Sequence, residues 1–93
     1  MLPEQRTSTH PGVILLKEFL EPMSLTQTDL AKHLGVSIQR VNELVKGKRG
    51  ITPDTAWLLG EAFGTGPEFW MNLQVAFDLT ATLRPKRVKR LVA

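Results

Sequence analysis

An all-α fold of five helices in one small domain is expected for this chain, on three observations. Residues 25–51, LTQTDLAKHLGVSIQRVNELVKGKRGI, read as two short capped helices joined by a glycine turn. Elsewhere apolar residues recur at three- and four-residue spacing, and no strand-like alternation stands out. Proline and glycine fall where helices should start and stop. The 93 residues, 42% of them hydrophobic, suffice for one core and are too apolar for a disordered chain.

Taken in order, residues 1–10 are expected to form a flexible N-terminal arm. Pro11 and Gly12 open a first helix whose apolar face is Ile14, Leu15, Phe19 and Leu20. It should end near Glu21, because Pro22 cannot continue a helix interior. Thr26 caps a second helix over 27–34, with Asp29 at the third position as the acid of a capping box. Leu30, Ala31 and Leu34 form its inward face, Ala31 being small where two helices should cross, and Gly35 supplies the turn. Ser37 caps a third helix over about 38–46, with Val41 and Leu44 inward and Gly47 just past its end. After a loop at 48–51, Thr52 and Pro53 start a fourth helix with Ala56, Leu59 and Phe63 toward the core. Gly60 allows another helix close, and Gly64 ends the element. Gly66 and Pro67 open a fifth helix, where Phe69, Trp70, Leu73, Ala76 and Phe77 fall on one stripe. That stripe is expected to close the core and also to carry a dimer interface, with Phe69, Trp70, Leu73 and Phe77 as anchors. The folded domain is placed at 11–80, and 81–93 is a basic C-terminal tail that Pro85 keeps from extending the helix.

Charge is distributed unevenly. The whole chain carries +3, but Arg84, Lys86, Arg87, Lys89 and Arg90 lie among the last ten residues, which include no acid. The remainder holds seven basic side chains against nine acidic ones. Affinity of the body for a polyanion must therefore come from charge focused at 40–49, and the tail can add a second contact.

The spacing at 25–51 is that of a DNA-binding helix-turn-helix. In such a unit the second helix presents its outward side chains to base edges in the major groove. Ser37, Ile38, Gln39, Arg40, Asn42 and Glu43 are the candidate base-reading residues. Gln39 can pair with adenine in a bidentate manner and Arg40 with guanine. Ile38 can meet a thymine methyl group or simply staple the turn. Gln27, Lys46, Lys48 and Arg49 are the candidate phosphate contacts, which set register but carry no sequence information. Two-fold pairing would bring a second copy of this helix to a second half-site.

Other function classes find little support. Cysteine is absent, and the two histidines, His10 and His33, are far apart in sequence, so neither a thiolate site nor a zinc constellation can be built. No glycine-rich phosphate loop is present, and no enzyme, cofactor or metal is expected. The N-terminal MLPEQRTSTH lacks an apolar run of signal-peptide length, and no membrane contact is expected, so a cytoplasmic protein is the simplest expectation.

The segment at 25–51 resembles the phage-repressor and Cro-like (Xre) helix-turn-helix family. HPGVILLKEFLEPMSLTQ at 10–27, NELVKGKRGITPDTA at 42–56 and FGTGPEFWMNLQ at 63–74 resemble, more narrowly, the HigA-type antitoxins of type II toxin–antitoxin systems. The resemblance implies a five-helix, phage-repressor-like helix-turn-helix domain. It also implies a homodimer that binds double-stranded operator DNA in its own promoter. A HigB-type toxin, a ribosome-dependent messenger-RNA endonuclease, would be its protein partner. The toxin contact is expected on the arm and first helix, around Thr9 to Phe19, on a side away from the recognition helix. A free-standing transcriptional repressor is the alternative. Trp57, Leu58 and Gly60 depart from the family pattern, as a partner surface or as a repacked fourth helix.

Overall fold

The computed structural model describes residues 8–93, in which five helices and no strand are present. Helix α1 begins as an α-helix over Pro11–Ile14 and continues directly as a π-helical segment, Leu15–Leu20. The others are α2 (Gln27–Leu34), α3 (Ile38–Val45), α4 (Pro53–Phe63) and α5 (Pro67–Ala81). None is long and apolar enough to cross a membrane.

The π-helical segment follows from where the apolar residues stand. Leu15 and Leu20 are both fully buried, yet five residues apart they would face different directions on an α-helix. A π turn closes at the fifth residue and stacks them on one face. Glu21 N–H still donates to the Leu16 carbonyl at 2.9 Å, and the helix then closes in a Schellman turn, with Leu25 N–H donating to the Leu20 carbonyl at 2.9 Å and Ser24 N–H to the Glu21 carbonyl at 3.1 Å. The chain then reverses at Ser24, whose φ of 55° lies in the left-handed region.

Caps set the limits of the next three helices. Thr26 Oγ1 accepts from the Asp29 N–H at 3.0 Å while Asp29 Oδ2 accepts from the Thr26 N–H at 3.1 Å, closing the capping box. Gly35, at φ 75°, ends α2 in the left-handed conformation that glycine adopts without strain. Ser37 Oγ accepts from the Arg40 N–H at 3.1 Å and starts α3. Thr52 occupies the corresponding position before α4, but its hydroxyl donates to the Asp54 carboxylate and caps no backbone amide. Pro53 at the first helical position removes one of the amides that would otherwise lack a partner there, and its fixed φ suits the helix start.

The core lies where α1, α3, α4 and α5 meet, around Leu15, Val41, Leu44, Leu59 and Trp70. Phe19 brings the π-helical segment against α4 and α5, its ring 4.8 Å from Phe63 and 5.2 Å from Trp70. Helices α4 and α5 run against each other at a contact with no spare room. A Cβ on Gly60 would stand 2.4 Å from the Gly66 carbonyl carbon, so glycine is required there. The departure from family pattern at position 60 is thus a packing necessity in this chain.

Three expectations need correction. Trp70 is fully buried within the chain, so it serves the core and cannot anchor a dimer directly. The inward face of α5 includes Gln74 rather than Ala76, which is exposed. Of the expected flexible arm, residues 1–7 lie outside the described residues, but Ser8 to His10 are held. The Ser8 N–H donates to Thr80 Oγ1 at 2.7 Å. His10 Nδ1 accepts from the Gly12 N–H at 2.9 Å, capping α1, and the ring meets Phe77 edge-on at 4.8 Å. The start of α1 also sits beside the recognition helix, because a Cβ on Gly12 would collide with the Leu44 carbonyl oxygen.

Burial lowers the pKa of His10, and the nearby Asp78 carboxylate only partly opposes this. The folded chain therefore binds this proton less readily than the unfolded chain, whose histidine titrates near pH ~6.5. The stabilising cap is intact above that pH and is lost as the pH falls below it. Urea unfolding between about pH 7.5 and about pH 5 should show stability decreasing toward acid. His10→Asn, which keeps an acceptor at the cap but does not titrate, should flatten that arm. Identical pH profiles for the two proteins would assign the dependence to another group.

Candidate nucleic-acid interface

Helix α3 is held from behind and from both ends. Val41 and Leu44 are buried beneath it, as the helical spacing requires. On α2, Gln27 Oε1 accepts from Asn42 Nδ2 at 3.1 Å, which fixes the crossing of the two helices of the motif. At the far end, Ile51 N–H donates to Gln74 Oε1 at 2.6 Å in a buried bond, and Gln74 Nε2 donates to Asp78 Oδ1 at 2.8 Å. The loop leaving the recognition helix is thereby latched to α5. Nothing was assigned to Gln74 from sequence. Its signal was an amide four residues after Trp70, on the face that turns to the core.

The six candidate base readers separate into two groups. Ser37, Ile38 and Gln39 are exposed at the start of α3. Ile38 is 51% exposed and so does not staple the turn, which leaves its side chain open for an apolar contact. Gln39 Nε2 makes one long bond of 3.3 Å to Glu43 Oε2 and is otherwise unengaged. Arg40, in contrast, is committed to α4. Its guanidinium donates to Asp54 Oδ2 at 2.9 Å and to Thr55 Oγ1, with the Thr55 side chain buried. The Thr52 hydroxyl, and then Arg40, hold the Asp54 carboxyl at a pKa of about 2, so the carboxylate persists through mild acid. In the free protein Arg40 therefore braces α3 against α4, and the expected guanine contact would require its guanidinium to leave these partners. Asn42 is half-buried and spends its amide on Gln27.

Glu43 and Arg49 form one unit. Arg49 Nε and Nη2 both donate to Glu43 Oε1, at 3.0 and 2.8 Å, and Arg49 is the largest cause of the lowered Glu43 pKa. The pair closes the exit loop back over α3, aided by the Lys48 and Arg49 N–H groups, which donate to the Glu43 carbonyl at 2.9 and 3.2 Å. Glu43 is therefore the partner of Arg49 in the free protein, and its carboxylate offsets the charge intended for a phosphate. Lys46 and Lys48 are exposed and have no carboxylate partner among the described residues. They remain the unencumbered phosphate candidates on the body of the domain.

The arrangement is a row of accessible polar and apolar side chains on a short rigid helix, flanked by two free lysines. It suits direct contact with base edges at the start of α3 and phosphate contact after its end. Residues 16–70 match the helix-turn-helix family model. The chain is 40% identical over 82 residues to antitoxin HigA-1 of Vibrio cholerae, covering 88% of this chain and 77% of that protein. Among solved structures, it is similar to the Pseudomonas aeruginosa antitoxin HigA with the higBA promoter. The identity there is 44% and the TM-score 0.77, over 78% of this chain and 79% of that one. The antitoxin GraA in complex with its operator is similar over the full length of both chains, with 37% identity and a TM-score of 0.86. With its two capped helices, latched exit loop and these likenesses over most of its length, the chain belongs to the HigA-type antitoxin family of helix-turn-helix proteins.

Proposed function

We propose that the protein binds an operator in its own promoter as a dimer, represses its own operon and neutralises a HigB-type messenger-RNA endonuclease. The observation that carries the DNA part is the exposed row Ile38–Gln39 on a braced α3, in a chain like HigA and GraA proteins solved with promoter or operator DNA. The toxin part rests on family membership. Val13, Lys17 and Glu18 leave an exposed strip along α1 that a partner protein can use without displacing core residues.

Pairing of two chains is assigned to α5, but on its outer face. With Trp70 in the core, the accessible apolar residues of that helix are Phe69, Val75 and Leu79, the last 73% exposed. A two-fold contact along this face would present two α3 helices to half-sites about 34 Å apart. Leu79→Glu should give a folded monomer in sedimentation equilibrium, with weakened operator binding. A full dimer from that variant would place the interface elsewhere.

Base reading should depend on Gln39 and not on Lys48. Gln39→Ala should cost about 1–3 kcal/mol on the cognate operator and relax base preference at one position per half-site. Lys48→Ala should weaken all duplexes alike and flatten the dependence of log affinity on log salt by about one unit. Competition titration with operator variants distinguishes the two. An equal loss on every sequence for Gln39→Ala would remove it as a reader.

The antitoxin activity is tested by growth rescue. The small protein encoded beside this one should arrest growth when expressed alone and be harmless when this protein is co-expressed. A neighbour without toxicity, or toxicity that persists against a stable excess of this protein, leaves a free-standing repressor as the function.

A further inference from the structure

The recognition surface is short of free positive charge. Of the four cations at 40–49, Arg40 is paired with Asp54 and Arg49 with Glu43, leaving Lys46 and Lys48. Residues 1–83 carry more acidic than basic side chains. The largest block of cations without an Asp or Glu ion pair among the described residues is the tail, where Arg84, Lys86, Arg87, Lys89 and Arg90 are all exposed. The side-chain hydrogen bond found within it is Arg90 Nη2 to the Ala93 carbonyl, at 2.8 Å.

The last turns of α5, from which the tail leaves, are linked to the exit of the recognition helix through His10. Helix α5 ends at Ala81, and its last turns hold the chain leading into α1 through Thr80 to Ser8 and Phe77 to His10. The His10 ring in turn lies against Gly47, between the two free lysines. From Thr82 the remaining residues are outside any helix, and Pro85 and mutual repulsion favour an extended path. At ~3.3 Å per residue such a segment spans roughly one turn of duplex DNA.

We propose that residues 84–90 form a basic strap that leaves the domain beside Lys46 and Lys48 and contacts DNA phosphates flanking the half-site, irrespective of sequence. The strap rests on the DNA-binding function proposed above. It supplies affinity that the internally paired cations of α3 cannot, while Gln39 and Ile38 retain the base preference. The apolar residues among and after the charges, Val88, Leu91 and Val92, are exposed. The root of the tail beside the exit loop favours nucleic acid over an anionic membrane surface.

The test uses the full chain with all five side chains neutralised (Arg84→Gln, Lys86→Gln, Arg87→Gln, Lys89→Gln and Arg90→Gln). These side chains are exposed and lie outside the core, so helicity and dimerisation should match the wild type. Binding is titrated against salt on a duplex from immediately upstream of the reading frame and on a random-sequence duplex. The slope of log affinity against log salt should become shallower on both by about 0.9 for each phosphate released, at least about two units per chain. The preference for the upstream duplex should be unchanged. Equal slopes for variant and wild type would overturn the strap while leaving that preference, and the repressor function, standing. A slope difference without any preference for the upstream duplex would uphold the strap and remove operator recognition. Failure of the wild type to bind either duplex at low salt would remove both. Capture by phosphatidylserine vesicles that neutralisation abolishes, with DNA slopes unaltered, would overturn the strap in favour of a membrane contact.

Discussion

The hydrogen bond from the Ile51 N–H to Gln74 Oε1 sets the position of everything downstream of the recognition helix. It is buried, so losing one partner would leave a desolvated polar group at a cost of about 1–3 kcal/mol. Through it the loop after α3 is fixed to α5, the helix assigned to pairing. Asn42 and Gln27 fix the other side of α3 to α2, and Arg40 fixes its first turn to α4. A helix of eight residues is too short to hold its own shape in water, so these three attachments and the buried Val41 and Leu44 hold it. Rigidity at a base-reading surface matters because hydrogen bonds to base edges discriminate only when donor and acceptor are already aligned.

The same attachments consume charge. Arginine is the residue best suited to bidentate contact with guanine or phosphate, yet both arginines on this surface face carboxylates of their own chain. Exposed pairs of this kind contribute little stability each. Their larger effect is on the field that an approaching duplex meets, which is weaker than a count of basic residues suggests. Specificity and electrostatic attraction are thus separated in this molecule. Uncharged side chains occupy the start of α3, and free cations stand after its end.

The elements were legible in sequence wherever a short-range rule decides structure. The Thr26–Asp29 capping box, the Ser37 cap, the left-handed Gly35 and the Pro53 and Gly64 limits of α4 each depend on residues within four positions of one another. What was not legible depends on contacts between distant segments. The brace from Arg40 to Asp54 has no local signal, because the two are fourteen residues apart and have no helical relation. Trp70 and Phe69 sit side by side in the sequence, but packing against Phe19 and Phe63 sends one inward and leaves the other half out. The π-helical segment was missed although Leu15 and Leu20 signal it, since five-residue spacing is ambiguous until both are known to be buried. Gln74 carries no local signal of its partner, since Ile51 lies 23 residues away and only the packing of α5 brings the two together.

The contact at Gly60 bears on how this architecture can vary through evolution. There is no space for one methyl group between α4 and the backbone that begins α5. The angle between the DNA-reading half and α5 therefore cannot drift by small steps, because every residue other than glycine would separate the two helices at once. A lineage adapting to operators of different half-site separation has a freer variable on the outer face of α5. On the pairing proposed above, exchanging which exposed side chains meet there would slide one subunit along the other while each domain remains as it is. Divergence on that face would leave the crossing inside this chain's domain as it is, whereas relatives that carry a side chain at position 60 must set the same crossing wider.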